Sequence, residues 1–521
     1  MVYSLMAWRN SMTRSLARRI QQYALSALLM GCASYGYAGK QNDTLVYASD
    51  NEVENISPYH NTLREGVIIS NLVWDRLIYR DPKTGEYEPQ LAASWEWDAP
   101  EILVLHLRKG IKFHNGDDFS ADDVVYTFNN IAGDNTDSVM PQSVNWIKET
   151  EKVDDYTVKL HLEKPFPAAL EYLSGPTPIF PAKYYQQVKL AGFSKAPIGT
   201  GPYKITGVTP AQGVTMEKNA DYFTDSPVGQ PKIGKLQFVV IRDPETRLAQ
   251  LMTGQVDWIW RVPADQMTSL ETMPNIAVKS GETMRIGFLA LNTNAGGPGG
   301  EPFRDLRVRQ AVNHAINRQG MVDNLVRGGS QPVYSACFSA QAACNTSKVI
   351  KYEYDPEKAK RLLAEAGYPN GFDTDIWAYR ERDYAEAIIG DLRKVGINAR
   401  LHYVQHSVLA ADLISGKAPM AVRTWGSYSI NDASAFVTPY FGGKGDDIWK
   451  DAEVTGMLTK ADETIDTKQR SALYADVLGR ISSQAYLAPL FSYSTNYAFT
   501  SDLNFDSWPD ELPRFALASW K

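Results

Sequence analysis

Between residues 355 and 403 the chain twice runs a helix toward a strand, and that alternation limits the fold more than any other feature. In YDPEKAKRLLAEAGYPNGF a helix opens at Pro356, stops at Gly367 and is followed by Pro369, the expected order of start and stop signals. In EAIIGDLRKVGINARLHYV a helix ends near Gly396, after which Ile397, Ala399, Leu401 and Tyr403 alternate along a strand. Helices returning to strands predict an α/β chain with mixed sheets. At 521 residues the chain exceeds the size one hydrophobic core can fill, so at least two lobes are expected. Its 22% charged and 44% apolar residues place it among compact soluble proteins and away from disordered chains.

The first residues read differently. Arg14, Arg18 and Arg19 precede the uncharged run YALSALLMGCA, which is too short to span a membrane and leads into the small-residue stretch SYGYAGK. This is the pattern of an export signal over residues 1–38, with cleavage after Ala38 and Met12 as an alternative start. LMGC, ending at Cys32, offers a second route by lipid attachment, although Met30 departs from the usual lipobox. Loss of the four arginines in this stretch takes the formal charge from −7 to about −11. An acidic chain with no basic tract is a poor partner for nucleic acid or anionic membrane surfaces. Cys337 and Cys344 then remain, and a cysteine pair in an exported chain predicts a disulfide closing a small loop. No His or third Cys lies near them to make a metal site.

In LRKGIKFHNGDDFSADDVVYTF and the residues before it, Leu103, Leu105 and Leu107 keep a strand period, Asn115-Gly116 marks a turn, and Ser120 with Asp123 has capping-box spacing before Ala121, Val124, Val125 and Phe128. The acids here suit a helix start and do not follow a calcium-loop pattern. FRDLRVRQAVNHAINRQGMVDNLV predicts one long helix from Phe303, behind a Gly-Pro loop that matches neither phosphate-binding motif. His402 and His406 read as surface residues for want of a third ligand. No GxSxG, HExxH or Walker loop occurs and no cysteine is left as a nucleophile, so the chain is read as a binding protein, with a secreted hydrolase as the alternative class.

Seven motifs in order, LAASWEWD, LRKGIKFHNGDDFSADDVVYTF, PIGTGPYKI, RDPETRLAQLMTGQVDW, FLALNTN with PFRDLRVRQAVNHAI, YDPEKAKRLLAEAGYP and PLFSYSTNYAF, resemble family 5 of the extracytoplasmic solute-binding proteins, the dipeptide, oligopeptide and nickel receptors of ABC importers. The resemblance implies a two-lobed periplasmic binding protein (flytrap) fold with an extra subdomain in the larger lobe. That lobe would comprise residues 39–290 plus 491–521, with 82–195 as the subdomain, and the smaller lobe 291–490, with FLALNTN and LAPLFSYS as hinges. It also implies a periplasmic monomer that takes peptides or peptide-like solutes to an ABC permease without a cofactor. A nickel complex, an opine or a sugar conjugate is the alternative cargo.

In the dipeptide receptors a small-lobe carboxylate after a Trp holds the ligand's amine and an upstream Arg holds its carboxylate. The matching stretch, MAVRTWGSYSINDASAF, has Tyr428 three residues after Trp425, where that family pattern has its Asp; Asp432 is the nearest acid. The resemblance therefore points to Trp425, Asp432, Tyr428, Arg423 and Ser427 in the small lobe and to Arg380 or Arg382 upstream. Asn55, Ser57 and Tyr59, in the loop after the first strand, would line the opposite rim.

Overall fold

The computed structural model describes residues 38–521 except 54, 62, 134, 135, 298 and 381. Residues 1–37 of the expected export segment, including Cys32, lie outside them. Ten strands form one sheet in the order 397–403, 372–378, 420–425, 276–291, 487–500, 258–260, 44–49, 235–240, 213–218 and 203–209. Two long strands at its middle, Ile276–Leu291 and Leu487–Thr500, run antiparallel through both lobes. Their register shifts between residues 282 and 286 and again between 287 and 288. The fold is thus a mixed α/β one, with parallel pairs at Thr44–Ser49 with Lys235–Val240 and at Phe372–Ala378 with Ile397–Tyr403.

Central strands are buried on both faces, so alternate residues of one strand serve two cores. Leu45 and Tyr47 join the main core of the large lobe, whereas Val46 and Ala48 join a second core behind the sheet. Farther along the strand Ile276–Leu291, Ile286, Phe288 and Ala290 face one cluster, and Leu289 and Leu291 another. Strands Ala92–Ala99, Ile102–Leu107, Thr157–Leu162 and Ile147–Asp154 make a separate antiparallel sheet on the large lobe. Ser120 and Asp123 form the expected capping box at the helix Ala121–Tyr126.

The single long helix expected from Phe303 is broken. Leu306–Ala315 ends before Asn317, whose side chain accepts the Gly320 N–H and starts a short second helix, Arg318–Met321. The break is held from outside: Asp391 accepts the Asn317 N–H at 2.9 Å, and the buried Arg318 guanidinium bonds the carbonyls of Asn313 and Pro489. Tertiary partners thereby replace the backbone bonds that a continuous helix would make.

PIGTGPYKI owes its glycines to close approach. A Cβ on Gly199 would stand 1.9 Å from the Val73 carbonyl oxygen, and one on Gly201 2.6 Å from its carbonyl carbon. Between them Thr200 donates to Asp75 at 2.8 Å; Tyr222 and Gln90 donate to the same carboxylate at 2.8 and 2.7 Å. Burial raises the Asp75 carboxyl from 3.8 to about 6, against the opposing pull of these donors and Arg76. A raised folded value means that the protonated form's extra stability is complete below the unfolded value and lost as pH rises through about 6. The difference is worth about 3 kcal/mol. Asp75→Asn should therefore flatten the pH dependence of unfolding free energy between pH 4 and 7, measured by denaturant titration. An unchanged slope would contradict the assignment.

Candidate ligand-binding site

The lobes enclose a cavity of about 460 Å³, within the range of small-molecule sites. Its walls come from the helix Arg64–Val73 and the segments after it, from residues 171–178, from the small-lobe turn 425–430, and from the C-terminal tail 510–517. The lobes touch around it. Arg64 Nη1 donates to Ser429 Oγ at 2.5 Å, and the Asn431 N–H donates to Glu171 Oε1 at 2.7 Å. Ser429 also donates to the Asp510 carbonyl at 2.7 Å, so the tail, the large lobe and the small lobe meet at one point.

Charge is unevenly distributed on this wall. Arg64, Arg76, Arg80, Arg261, Arg285 and Arg514 line it, against Glu65, Glu171 and Asp510. Glu511 bridges Arg64 at 2.8 Å and Arg285 at 3.1 Å. Arg514 pairs with Asp510 at 2.5 Å, and Arg80 Nε lies 3.3 Å from Glu171. Glu171 is buried, which raises its pKa despite Arg80, the Asn431 N–H and the Tyr87 hydroxyl that donates to it at 2.9 Å. Arg76 is buried and held by backbone: Nε donates to Gly175, Nη1 to the carbonyls of Ser70 and Trp74, and Nη2 to Ser70 Oγ. Burial lowers its pKa to about 10. Arg261 Nη1 lies 3.5 Å from Asp50, so the wall carries six guanidiniums with carboxylates close to most of them, and the arginine fork matches carboxylate geometry.

Of the candidates drawn from sequence, Trp425 ends the strand Met420–Trp425 and lines the cavity, its indole N–H given to the Ala435 carbonyl at 2.7 Å and its ring set edge-on to Tyr440. Gly426, Ser429 and Ile430 line it beside Trp425. Ser427 is fully buried in the turn with its hydroxyl unpartnered, and the Tyr428 side chain lies outside the described residues. Asp432 is off the wall: it is buried and takes both terminal nitrogens of Arg470, at 2.6 and 2.8 Å. Arg423 is buried too, bonded to Asp446 at 2.9 Å and lying over Tyr440.

Arg380 and Arg382 are exposed and do not line the cavity; Arg382 bonds Glu386 one turn along its helix. Tyr59 is buried in the large-lobe core with its hydroxyl on the Pro178 carbonyl, Ser57 is buried against His60, and Asn55 accepts from the Ser57 N–H and Ser194. Their neighbours Pro58, Asn61, Leu63 and Arg64 reach the wall instead. His402 stacks on Trp377 and bonds Asp375, while His406 meets the edge of Tyr379. Cys337 and Cys344 are disulfide-bonded, and their loop braces the cavity turn from behind: Gln341 donates to the Ile430 and Asp432 carbonyls, and Ala342 bridges to Asp432.

Sequence reasoning missed the arginines at 64, 76, 80, 261, 285 and 514. Nothing local separates them from solvated surface arginines; the signal is convergence, which appears only when the lobes close.

The profile of bacterial extracellular solute-binding proteins, family 5, middle part, matches residues 86–447. The chain belongs to this family. The heme-binding protein A of Haemophilus influenzae is 27% identical over 500 residues, which cover 88% of each chain. The glutathione-binding protein GsiB of Escherichia coli is 28% identical over 479 residues, covering 88% of this chain and 91% of its own. Among solved structures, HbpA2 from Haemophilus parasuis superposes with a TM-score of 0.80 at 27% identity, covering 92% of this chain and all of that one. Family 5 members of this kind are solute receptors of ABC importers. No described helix is long and apolar enough to cross a membrane.

Proposed function

We propose that this family 5 receptor captures a small peptide-like solute bearing more than one carboxylate, of the glutathione class, and presents it in the periplasm to the transmembrane subunits of an ABC permease as a monomer. One observation carries the reading: six arginines converge on a cavity of about 460 Å³. That volume suits a di- or tripeptide, and closure strengthens each arginine–carboxylate contact by excluding water. Similarity to receptors named for glutathione and for heme supports it, since both ligands carry two carboxylates.

The lobes are 39–290 with 491–521, including the subdomain 82–195, and 291–490. Closure turns on the two crossing segments FLALNTN, residues 288–294, and LAPLFSYS, residues 487–494, which pair through Phe288 with Pro489, Leu289 with Ala488 and Ala290 with Leu487. A closed state stabilised by ligand raises the melting temperature and contracts the molecule. Reduced glutathione should give saturable heat by titration calorimetry, a higher melting temperature and a smaller radius of gyration in X-ray scattering. Native mass spectrometry of gently purified protein should show a co-purified polycarboxylate. A co-purified solute with no carboxylate, together with no heat from glutathione or acidic dipeptides, would overturn the reading.

A further inference from the structure

The cavity wall contains one buried carboxylate that the protein leaves without a cation. Glu65 is 2% exposed. Its Oε1 accepts from Ser49 Oγ at 2.5 Å and from Asn51 Nδ2 at 3.3 Å, and no Lys, Arg or His among the described residues forms an ion pair with it. The other two acids on the wall are paired, Glu171 with Arg80 and Asp510 with Arg514. Glu65 sits in the first turn of the helix Arg64–Val73, where an acid ordinarily complements the helix's free N–H groups. Its hydrogen bonds run elsewhere, to the end of the strand Thr44–Ser49 and to Asn51 beyond it. Trp260 Nε1 donates to Ser49 Oγ at 2.9 Å, and of the two carboxylates within reach of that hydroxyl's single proton, Glu65 at 2.5 Å is nearer than Asp50 at 3.2 Å. The Trp260–Ser49–Glu65 relay holds the carboxylate in place before any ligand arrives, as a preorganised site requires.

A buried anion without a partner is costly, and a hydrogen-bonded ammonium is the group that removes the cost. Arg76, buried and with no carboxylate at ion-pair distance among the described residues, lies at the other end of the same helix, bonded to Ser70. Residues 65 and 70 are separated by about 7–8 Å of helix rise, close to the roughly 7 Å between the termini of an extended dipeptide. We propose that Glu65 is the amine-binding residue of this receptor, taking the α-ammonium of the peptide-like solute while the arginines take its carboxylates. This rests on the functional reading above and adds to it the group that selects a free amine.

The test crosses two proteins with two ligands by titration calorimetry: native and Glu65→Gln, each with reduced glutathione and N-acetylglutathione. Acetylation should weaken binding to the native protein about 100-fold. Glu65→Gln should weaken glutathione similarly but leave the acetylated ligand within about threefold of its native affinity. Gln retains the acceptor for Ser49, and unfolding of the ligand-free variant is followed in parallel; should it fail to fold, the acetylation effect on native protein decides. Equal loss for both ligands in the variant, or equal affinity of native protein for both, overturns Glu65 as the amine site while leaving the functional reading intact. If glutathione and acidic dipeptides all fail to bind native protein, the functional reading falls and this assignment with it.

Discussion

Asp432→Asn should cost the protein about 3–5 kcal/mol of stability while leaving ligand affinity of the folded fraction within about threefold. Asp432 and Arg470 are 3% and 5% exposed. The Asp432 carboxylate takes two guanidinium bonds at 2.6 and 2.8 Å and both the N–H and hydroxyl of Ser434. Burial works against the Arg470 charge, but its bonds to Asp432 and the nearby Tyr474 and Asp462 raise its pKa overall. Arg470 Nε already has no partner, so losing the carboxylate would leave a buried cation with little to replace it. Removing both charges at once, as in Asp432→Asn with Arg470→Met, should recover part of the loss, because a neutral pair avoids the uncompensated ion. Chemical denaturation measures the stability terms and calorimetry the affinity. A stable Asp432→Asn variant with affinity down a hundredfold would instead place the ligand's amine on Asp432.

Glu511→Gln is the second large effect, at about 3 kcal/mol. Glu511 joins the helix residue Arg64 to Arg285, which lies in the register break of the crossing strand, and Arg64 reaches Ser429 in the small lobe. Burial raises the Glu511 pKa, but Arg64 and Arg285 together pull it below its ordinary 4.5. A depressed folded value means that the clasp contributes fully above the unfolded pKa and is lost as pH falls through the folded one. The variant and native protein should therefore differ fully at about pH 5–7, and the gap should narrow as pH falls below about 4.5. A constant gap from pH 7 to 3 would exclude Glu511 as the titrating member of the clasp.

The features legible from sequence are those written within one or two turns of chain. The capping box at Ser120 and Asp123, the helix Pro356–Glu365 ending before Gly367, and the strand Ile397–Tyr403 after Gly396 each depend on neighbours a few residues away. The ordered motifs extended this to the family and its two-lobed fold. Where a distant partner intervened, local reading failed: the helix expected from Phe303 breaks because Asp391 and Pro489 supply bonds from other elements.

The site depended almost wholly on such partners. Trp425 reaches the cavity because it ends a strand that points there. Asp432 does not, because Arg470, 38 residues later, takes its charge; Arg64 acquires its place on the wall from Glu511, 447 residues away. By itself the sequence determined the periodicities, caps and motif order that select an α/β family 5 receptor. The tertiary structure alone decided which charges are neutralised and which face the solute, because a charge's partner is set by distance in space, and periodicity along the chain carries no record of it.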